Sequence, residues 1–292
     1  MKRIEGQIRK ALSGFYYVYA NGKTYQTRGR GNFRKKKLTP LVGDHVVFSS
    51  DNPTDGYVLE LLPRKNELVR PPVANVDQGV IVASLVEPQF SFNLLDRFLV
   101  TLEAKGIDPI IYVSKTDLVK DENVLKQIRA IYVADYPVVS SQEKDKLTAL
   151  FPNKLTVFMG QSGAGKSTLL NELVPELNLA TGEISTSLGR GRHTTRHVEL
   201  LPLFDGLVAD TPGFSSIDFL DISAAELPKE FPEFQRASVN CRFRECRHVK
   251  EPGCAVKAEV EAGEIAQSRY DNYLQFLQEI EQRRPIYKKK KE

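Results

Sequence analysis

The stretch FMGQSGAGKSTLLNEL, Phe158–Leu173, decides how the chain is read. Gly160, Gly165, Lys166 and Ser167 occupy the fixed positions of G-x-x-x-x-G-K-[ST]. An apolar run, KLTVF, leads into the loop, and KSTLLNEL continues as a helix. In that context backbone N–H groups turn inward onto phosphate oxygens, aided by the positive end of the helix. Gly160, Gln161, Ser162, Gly163, Ala164, Gly165, Lys166, Ser167 and Thr168 are therefore candidate phosphate ligands. Lys166 is expected to reach the β- and γ-phosphates and to act in catalysis, and the Ser167 hydroxyl to ligate Mg²⁺. The position of the loop is unusual, since more than half of the 292 residues precede it.

Outward from the loop the texture alternates between strand and helix. GVIVASLV and PIIYVS are apolar, β-branched runs suited to strands buried on both faces. Between them FNLLDRFLVTLEAKG sets Leu94, Leu95, Phe98, Leu99 and Leu102 on one helical stripe that stops at Gly106. ENVLKQIRAIYVADY forms a second amphipathic helix before the strand PVVSS. HVELLPLFDGLVADTPG is expected to be a hairpin turning at Asp205-Gly206. The pattern is a parallel α/β sheet with crossover helices.

Two strand ends flank the phosphate loop in function. SKTD, Ser114–Asp117, closes an apolar strand, where ligands bind in such sheets. The Asp117 carboxylate can accept both N1–H and N2–H of guanine, a pair that adenine lacks, while the Lys115 stem lies along the purine. Ser140 and Ser141 end the next strand and are expected to close on the base. Downstream, Asp210 ends the apolar run LVAD and is expected to hold Mg²⁺ through water, with the Gly213 N–H contacting a γ-phosphate. In GRGRHTTRHVEL, Thr195 (Thr194 second) is expected to close over Mg²⁺ and His193 to position water.

The termini differ from this middle. The net charge of +4 conceals fourteen Lys/Arg against six Asp/Glu in residues 1–70. Short runs such as GFYYVYANGKTYQTRG, with Asn21-Gly22 as hairpin turn, predict about five strands in a small OB-type barrel, an SH3-like barrel being the alternative. RGRGNFRKKK, Arg28–Lys37, suits a loop that grips phosphates, with Phe33 stacking on a base, and RKNELVRPPVANVDQ reads as an extended linker. A basic tail, RRPIYKKKKE, ends the sequence given. No apolar run is long enough for a membrane helix and no signal peptide stands at the start, so a cytoplasmic (cytosolic) protein without membrane contact is expected.

All three cysteines fall between Cys241 and Cys254. With His248 they give C-x₄-C-x-H-x₅-C: Cys241, Cys246, His248 and Cys254 make four ligands with no open position, a structural zinc site. Arg242, Arg244, Arg247 and Lys250 make the knuckle basic, as RNA contact requires. His45 is expected to be an ordinary barrel residue.

The five nucleotide elements resemble the G1–G5 motifs of Ras-like GTPases, met here in the order G4, G5, G1, G2, G3, which is a circular permutation. Together with the basic barrel and the knuckle, they resemble the ribosome small-subunit-dependent GTPase A family of bacteria over essentially the whole chain. The resemblance implies a multidomain fold: an OB-fold RNA-binding domain at 1–70, a circularly permuted α/β P-loop GTPase domain at 71–220, and an α-rich zinc-knuckle and helical domain at 221–292. It implies GTP hydrolysis with Mg²⁺, one structural Zn²⁺, stimulation by the 30S subunit, 16S rRNA binding and a role late in small-subunit maturation. A monomer is expected. Ser114 replaces the usual Asn of N-K-x-D and is expected to loosen base affinity, and Phe214 stands where Ras carries its water-orienting Gln. The alternative is an RNA-binding scaffold in which nucleotide is mainly structural.

Overall fold

The computed structural model describes residues 3–29, 33, 38–69, 71–119, 122–175, 198–210 and 222–283. Five strands open the chain: β1 (Arg3–Leu12), β2 (Phe15–Ala20), β3 (Lys23–Gly29), β4 (His45–Ser50) and β5 (Gly56–Leu61). Asn21 and Gly22, at φ 51° and 77°, form the tight turn between β2 and β3. β1 pairs with both β2 and β4, β3 pairs parallel with β5, and β4 pairs with β5, so the strands close in the order 1-2-3-5-4-1. That closure is the OB-like barrel rather than the SH3-like one. A register shift between Ile8 and Lys10 bends β1, which lets one strand serve two neighbours. Ile8, Val18, Val46, Phe48 and Val58 fill the interior and are fully buried.

Two expectations for this region do not hold. Phe33 packs into the barrel core at 9% exposure, with its ring beside Gly29, and so has no face to offer a base. A large apolar ring at the mouth of a small barrel gains more by burial than by exposure. The supposed linker is a packed strap that holds the hairpin β6 (Glu67–Leu68) and β7 (Val73–Ala74). The Ala74 N–H donates to the Val42 carbonyl at 2.8 Å, and Arg64 reaches Asp44 through two contacts of 2.7 Å. Gly43, at φ +92°, lies so close that a Cβ would stand 2.0 Å from the Ala74 oxygen.

The middle of the chain is the expected α/β layer. Its elements are β8 (Gln78–Ser84), α1 (Phe92–Glu103), β9 (Asp108–Ser114), α2 (Asn123–Tyr132), β10 (Val138–Ser140), α3 (Lys144–Thr148), β11 (Leu155–Met159), α4 (Lys166–Leu173), β12 (Glu199–Leu203) and β13 (Gly206–Asp210). β10-β9-β8-β11-β13 run parallel, and β12 adds antiparallel to β13. The β12–β13 turn is made by Phe204 and Asp205, at φ 49° and 55°, one residue earlier than the sequence suggests. Among the described residues eleven strands form one sheet, because Lys10 of β1 pairs with Glu199 of β12. A salt bridge of 2.7 Å joins the same two side chains.

Helices follow among the described residues: α5 (Pro232–Ser238), α6 (Ala255–Ala262) and α7 (Gln267–Glu281). They close over a second core in which Phe231, Phe234, Tyr273 and Phe276 are fully buried. Tyr270, Leu274 and Ile280 line its edge, as their helical spacing predicts. α1 belongs to both cores. Leu95, Phe98, Leu99 and Leu102 face the sheet, whereas Val100 enters the C-terminal cluster. None of the described helices is long and apolar enough to cross a membrane.

Candidate nucleotide site and metal centre

The nucleotide loops converge because β8 lies between β9 and β11, so the turns leaving all three strands meet at one edge. The phosphate loop, residues 160–165, makes its reversal with Gly160, Gly163 and Gly165 at φ 141°, 77° and 97°. Gly160 is irreplaceable on steric grounds, since a Cβ there would lie 2.3 Å from the Val82 carbonyl oxygen. α4 then opens at Lys166, with Gly165 as its N-cap, and points its N-terminus into the loop. The Lys166 ammonium donates to the Gly160 carbonyl and, at 2.8 Å, to that of Gln161, spanning the cradle. Burial lowers its pKa to about 8.

Ser114 ends β9 beside this loop. Its hydroxyl donates to the Ala164 carbonyl at 2.6 Å, and its Cβ and Oγ stand 3.7 Å from where a Gly165 side chain would begin. SKTD and the phosphate loop are thus tied together although about fifty residues separate them in sequence. The Lys115 ammonium donates to the Glu87 carbonyl in the turn after β8, and Lys115 itself adopts φ 57°. Asp117 is exposed on the short 3₁₀ turn Thr116–Leu118. The Thr116 hydroxyl meets the Ser141 hydroxyl at 2.6 Å, which joins SKTD to the strand end of β10.

At that strand end the Glu143 carboxylate accepts from the Ser140 N–H at 3.1 Å and from its hydroxyl at 2.9 Å. The Ser141 N–H donates to the Val113 carbonyl at 2.9 Å. Among the described residues, Gln142 has the one N–H of the 140–142 turn with no acceptor. Sequence reasoning missed Thr116, Gln142, Glu143 and the Glu87 carbonyl. Thr116 and the Glu87 carbonyl act through contacts between loops, and Glu143 through donors from two helices and its own turn, none of which leaves a periodic or motif signal.

Asp210 ends β13, which runs parallel to the strand feeding the phosphate loop with Thr156 opposite Val208. Its backbone therefore lies at the same edge of the sheet. Thr194, Thr195, His193, Gly213 and Phe214 fall outside the described residues.

The second constellation forms a compact centre. The ligand atoms of Cys241, Cys246, His248 and Cys254 all lie within 4.8 Å of one another. His248 Nδ1 stands 3.3 Å from the Cys254 sulfur and 3.7 Å from that of Cys241. Metal–ligand bonds of about 2.0–2.3 Å in a tetrahedron give edges of about 3.3–3.8 Å, so this donor set fits zinc. Burial lowers the His248 pKa, favouring the neutral imidazole that a metal binds. The knuckle is held from both sides. The Tyr270 hydroxyl donates to the His248 carbonyl at 2.7 Å, and the Glu251 carboxylate accepts from the N–H groups of Arg247, Val249 and Lys250 at 2.8–3.0 Å.

A family model described as RsgA GTPase matches residues 61–220, and one described as RsgA N-terminal domain matches residues 5–58. A protein of Enterococcus faecalis named small ribosomal subunit biogenesis GTPase RsgA is 68% identical, covering 99% of this chain and 100% of its own length. One of the same name from Streptococcus pneumoniae is 57% identical over 98% of each. Among solved structures, YloQ, titled a circularly permuted GTPase, aligns at a TM-score of 0.83 with 48% identity over 98% of each chain. YjeQ from Thermotoga maritima aligns at 0.84 with 34% identity, over 97% of this chain and 100% of that one. SKTD precedes the glycine loop in the chain yet is bonded to it in space, and by these matches the chain belongs to the RsgA GTPase family.

Proposed function

We propose that this protein hydrolyses GTP as a nucleotide-dependent switch in late maturation of the small ribosomal subunit, binding 16S rRNA and stimulated by that subunit. The observation that carries the reading is the Ser114–Ala164 hydrogen bond, which sets the guanine-reading loop beside the triphosphate cradle. In this site Asp117 accepts from guanine N1–H and N2–H, the Lys115 stem covers the ring, and the free Gln142 N–H donates to O6. The N–H groups of residues 160–168 and the Lys166 ammonium hold the phosphates. Lys166 leaves the Gly160 and Gln161 carbonyls when a triphosphate offers it charge.

Ser167, Asp210 and Thr195 are the residues that would hold Mg²⁺, which when bound neutralises charge on the β- and γ-oxygens. Gly213 would contact the γ-phosphate, and His193 would orient the attacking water. Cys241, Cys246, His248 and Cys254 hold one structural zinc, and the arginines around them, with the basic barrel, supply the cationic surface that RNA requires. The protein acts in the cytoplasm as a monomer.

Hydrolysis of GTP and of ATP, each with and without 30S subunits, tests the reading. Stimulation by 30S confined to GTP is expected. Equal use of ATP, or no response to the subunit, would overturn it.

A further inference from the structure

Glu143 stands at the end of the base-reading turn, just ahead of α3, and collects more donors than a surface carboxylate needs. One of its oxygens accepts from the Ser140 N–H at 3.1 Å, the Ser140 hydroxyl at 2.9 Å and the Arg129 guanidinium at 2.7 Å. The other accepts from Lys146 at 2.7 Å, and the Glu143 N–H donates back to the Ser140 carbonyl at 2.9 Å. Arg129 lies on α2 and Lys146 on α3, so one side chain fastens two helices to the strand end of β10. Isolated surface ion pairs contribute little, but convergent donors on one fixed carboxylate impose a geometry. The Lys146 and Ser140 donors hold its pKa down at about 2, so the charge persists at every pH where the protein works.

The consequence falls on the neighbouring turn. With Ser140 bound to Glu143, and Ser141 bound through its N–H to Val113 and through its hydroxyl to Thr116, only the Gln142 amide remains to face a ligand among the described residues of the turn. We infer that Glu143 is a positioning residue for guanine recognition: it fixes the Ser140–Gln142 turn so that the Gln142 N–H meets the purine O6. The inference rests on the guanine reading above. Glu143 does not touch the nucleotide. It sets where the O6 donor lies, as Asp117 sets where N1–H and N2–H are read.

The test compares GDP with 6-thioguanosine diphosphate, which keeps the N1–H and N2–H groups read by Asp117 and replaces O6 by sulfur, a much weaker acceptor. For the unaltered protein, weakening of one aligned hydrogen bond predicts a preference for GDP of about three- to tenfold in Kd. In Glu143→Ala that preference should collapse toward unity, while affinity for the analogue changes little. Glu143→Gln keeps an acceptor for Ser140 and should retain most of the preference. Arg129→Met, which leaves the turn's own residues intact, provides a second reading should the alanine variant fold poorly, and should narrow the preference. Equal weakening of both nucleotides in Glu143→Ala, or a preference unchanged from the parent, would overturn the inference. If the parent protein does not separate GDP from ADP, the guanine reading itself falls, and this inference with it.

Discussion

The Ser114 hydroxyl donates to the Ala164 carbonyl at 2.6 Å, joining SKTD to the glycine loop through one buried contact. The residue expected to weaken the site therefore has a part in building it. Ser114→Ala would leave the Ala164 oxygen without this partner, at a cost of about 1–3 kcal/mol. The expected outcome is GDP affinity lowered by about tenfold, read by titration with a fluorescent GDP analogue. Wild-type affinity in this variant would show that the two loops hold their places without the tie.

Lys166 gives the site a pH dependence. Burial lowers its pKa from 10.5 to about 8 in the nucleotide-free protein, whereas a bound triphosphate favours the ammonium. Above pH 8 binding must then take up a proton. Affinity for GTP is expected to be level below about pH 7.5 and to fall as pH rises beyond 8, approaching tenfold per unit. The same shift acts on folding. The unfolded chain binds more protons than the folded one between pH 8 and 10.5, so this group's contribution to nucleotide-free stability rises with pH across that window. Calorimetric titrations in buffers of different ionisation enthalpy would show the proton uptake. In Lys166→Ala this dependence should be absent.

The Cys/His centre predicts one zinc per chain by elemental analysis. Burial pushes the Cys246 thiol up to about 12 when no metal is bound, so the ion must displace protons to bind. Cys246→Ser is expected to lose the metal and to destabilise the core around Phe234 and Tyr273, an effect exceeding about 4 kcal/mol. Thermal melting with and without a chelator measures it. Melting indifferent to both would remove zinc from the account.

Arg269 is buried between two carboxylates, 2.7 Å from Asp96 and 2.6 Å from Glu233. Asp96 also accepts from the Tyr132 hydroxyl and from the Asn272 amide, each at 2.6 Å. This network and the Arg97–Glu279 pair at 2.7 Å fasten α1 to α7. Arg269→Ala is expected to cost about 3–5 kcal/mol, since it strands a buried charge. The double variant Asp96→Asn, Arg269→Met should recover part of that loss in denaturant melts. A double variant no more stable than the single one would mean that packing, not charge, carries the joint.

Much of this was legible in local pattern. The glycine loop, the Asn21-Gly22 hairpin and the stripe Leu95, Phe98, Leu99 and Leu102 each depend on residues within about one element's length, and the structure reproduces them. Phe33 and the stretch at 64–78 escape a local reading for one reason. A basic or proline-bearing stretch resembles a solvated connection until the surface it covers is known.

The sequence by itself determined which chemistry is available: a glycine loop of the phosphate-binding pattern, a strand-end aspartate and four Cys/His groups able to hold a metal, because each depends on residue types at short fixed spacing. Tertiary structure decided which of these groups meet. Ser114 reaches Ala164, Thr116 reaches Ser141, and Asp96 reaches Arg269 across 173 positions. Such contacts follow from strand order and helix packing, and the free energy that selects them belongs to the closed core rather than to any one segment of chain.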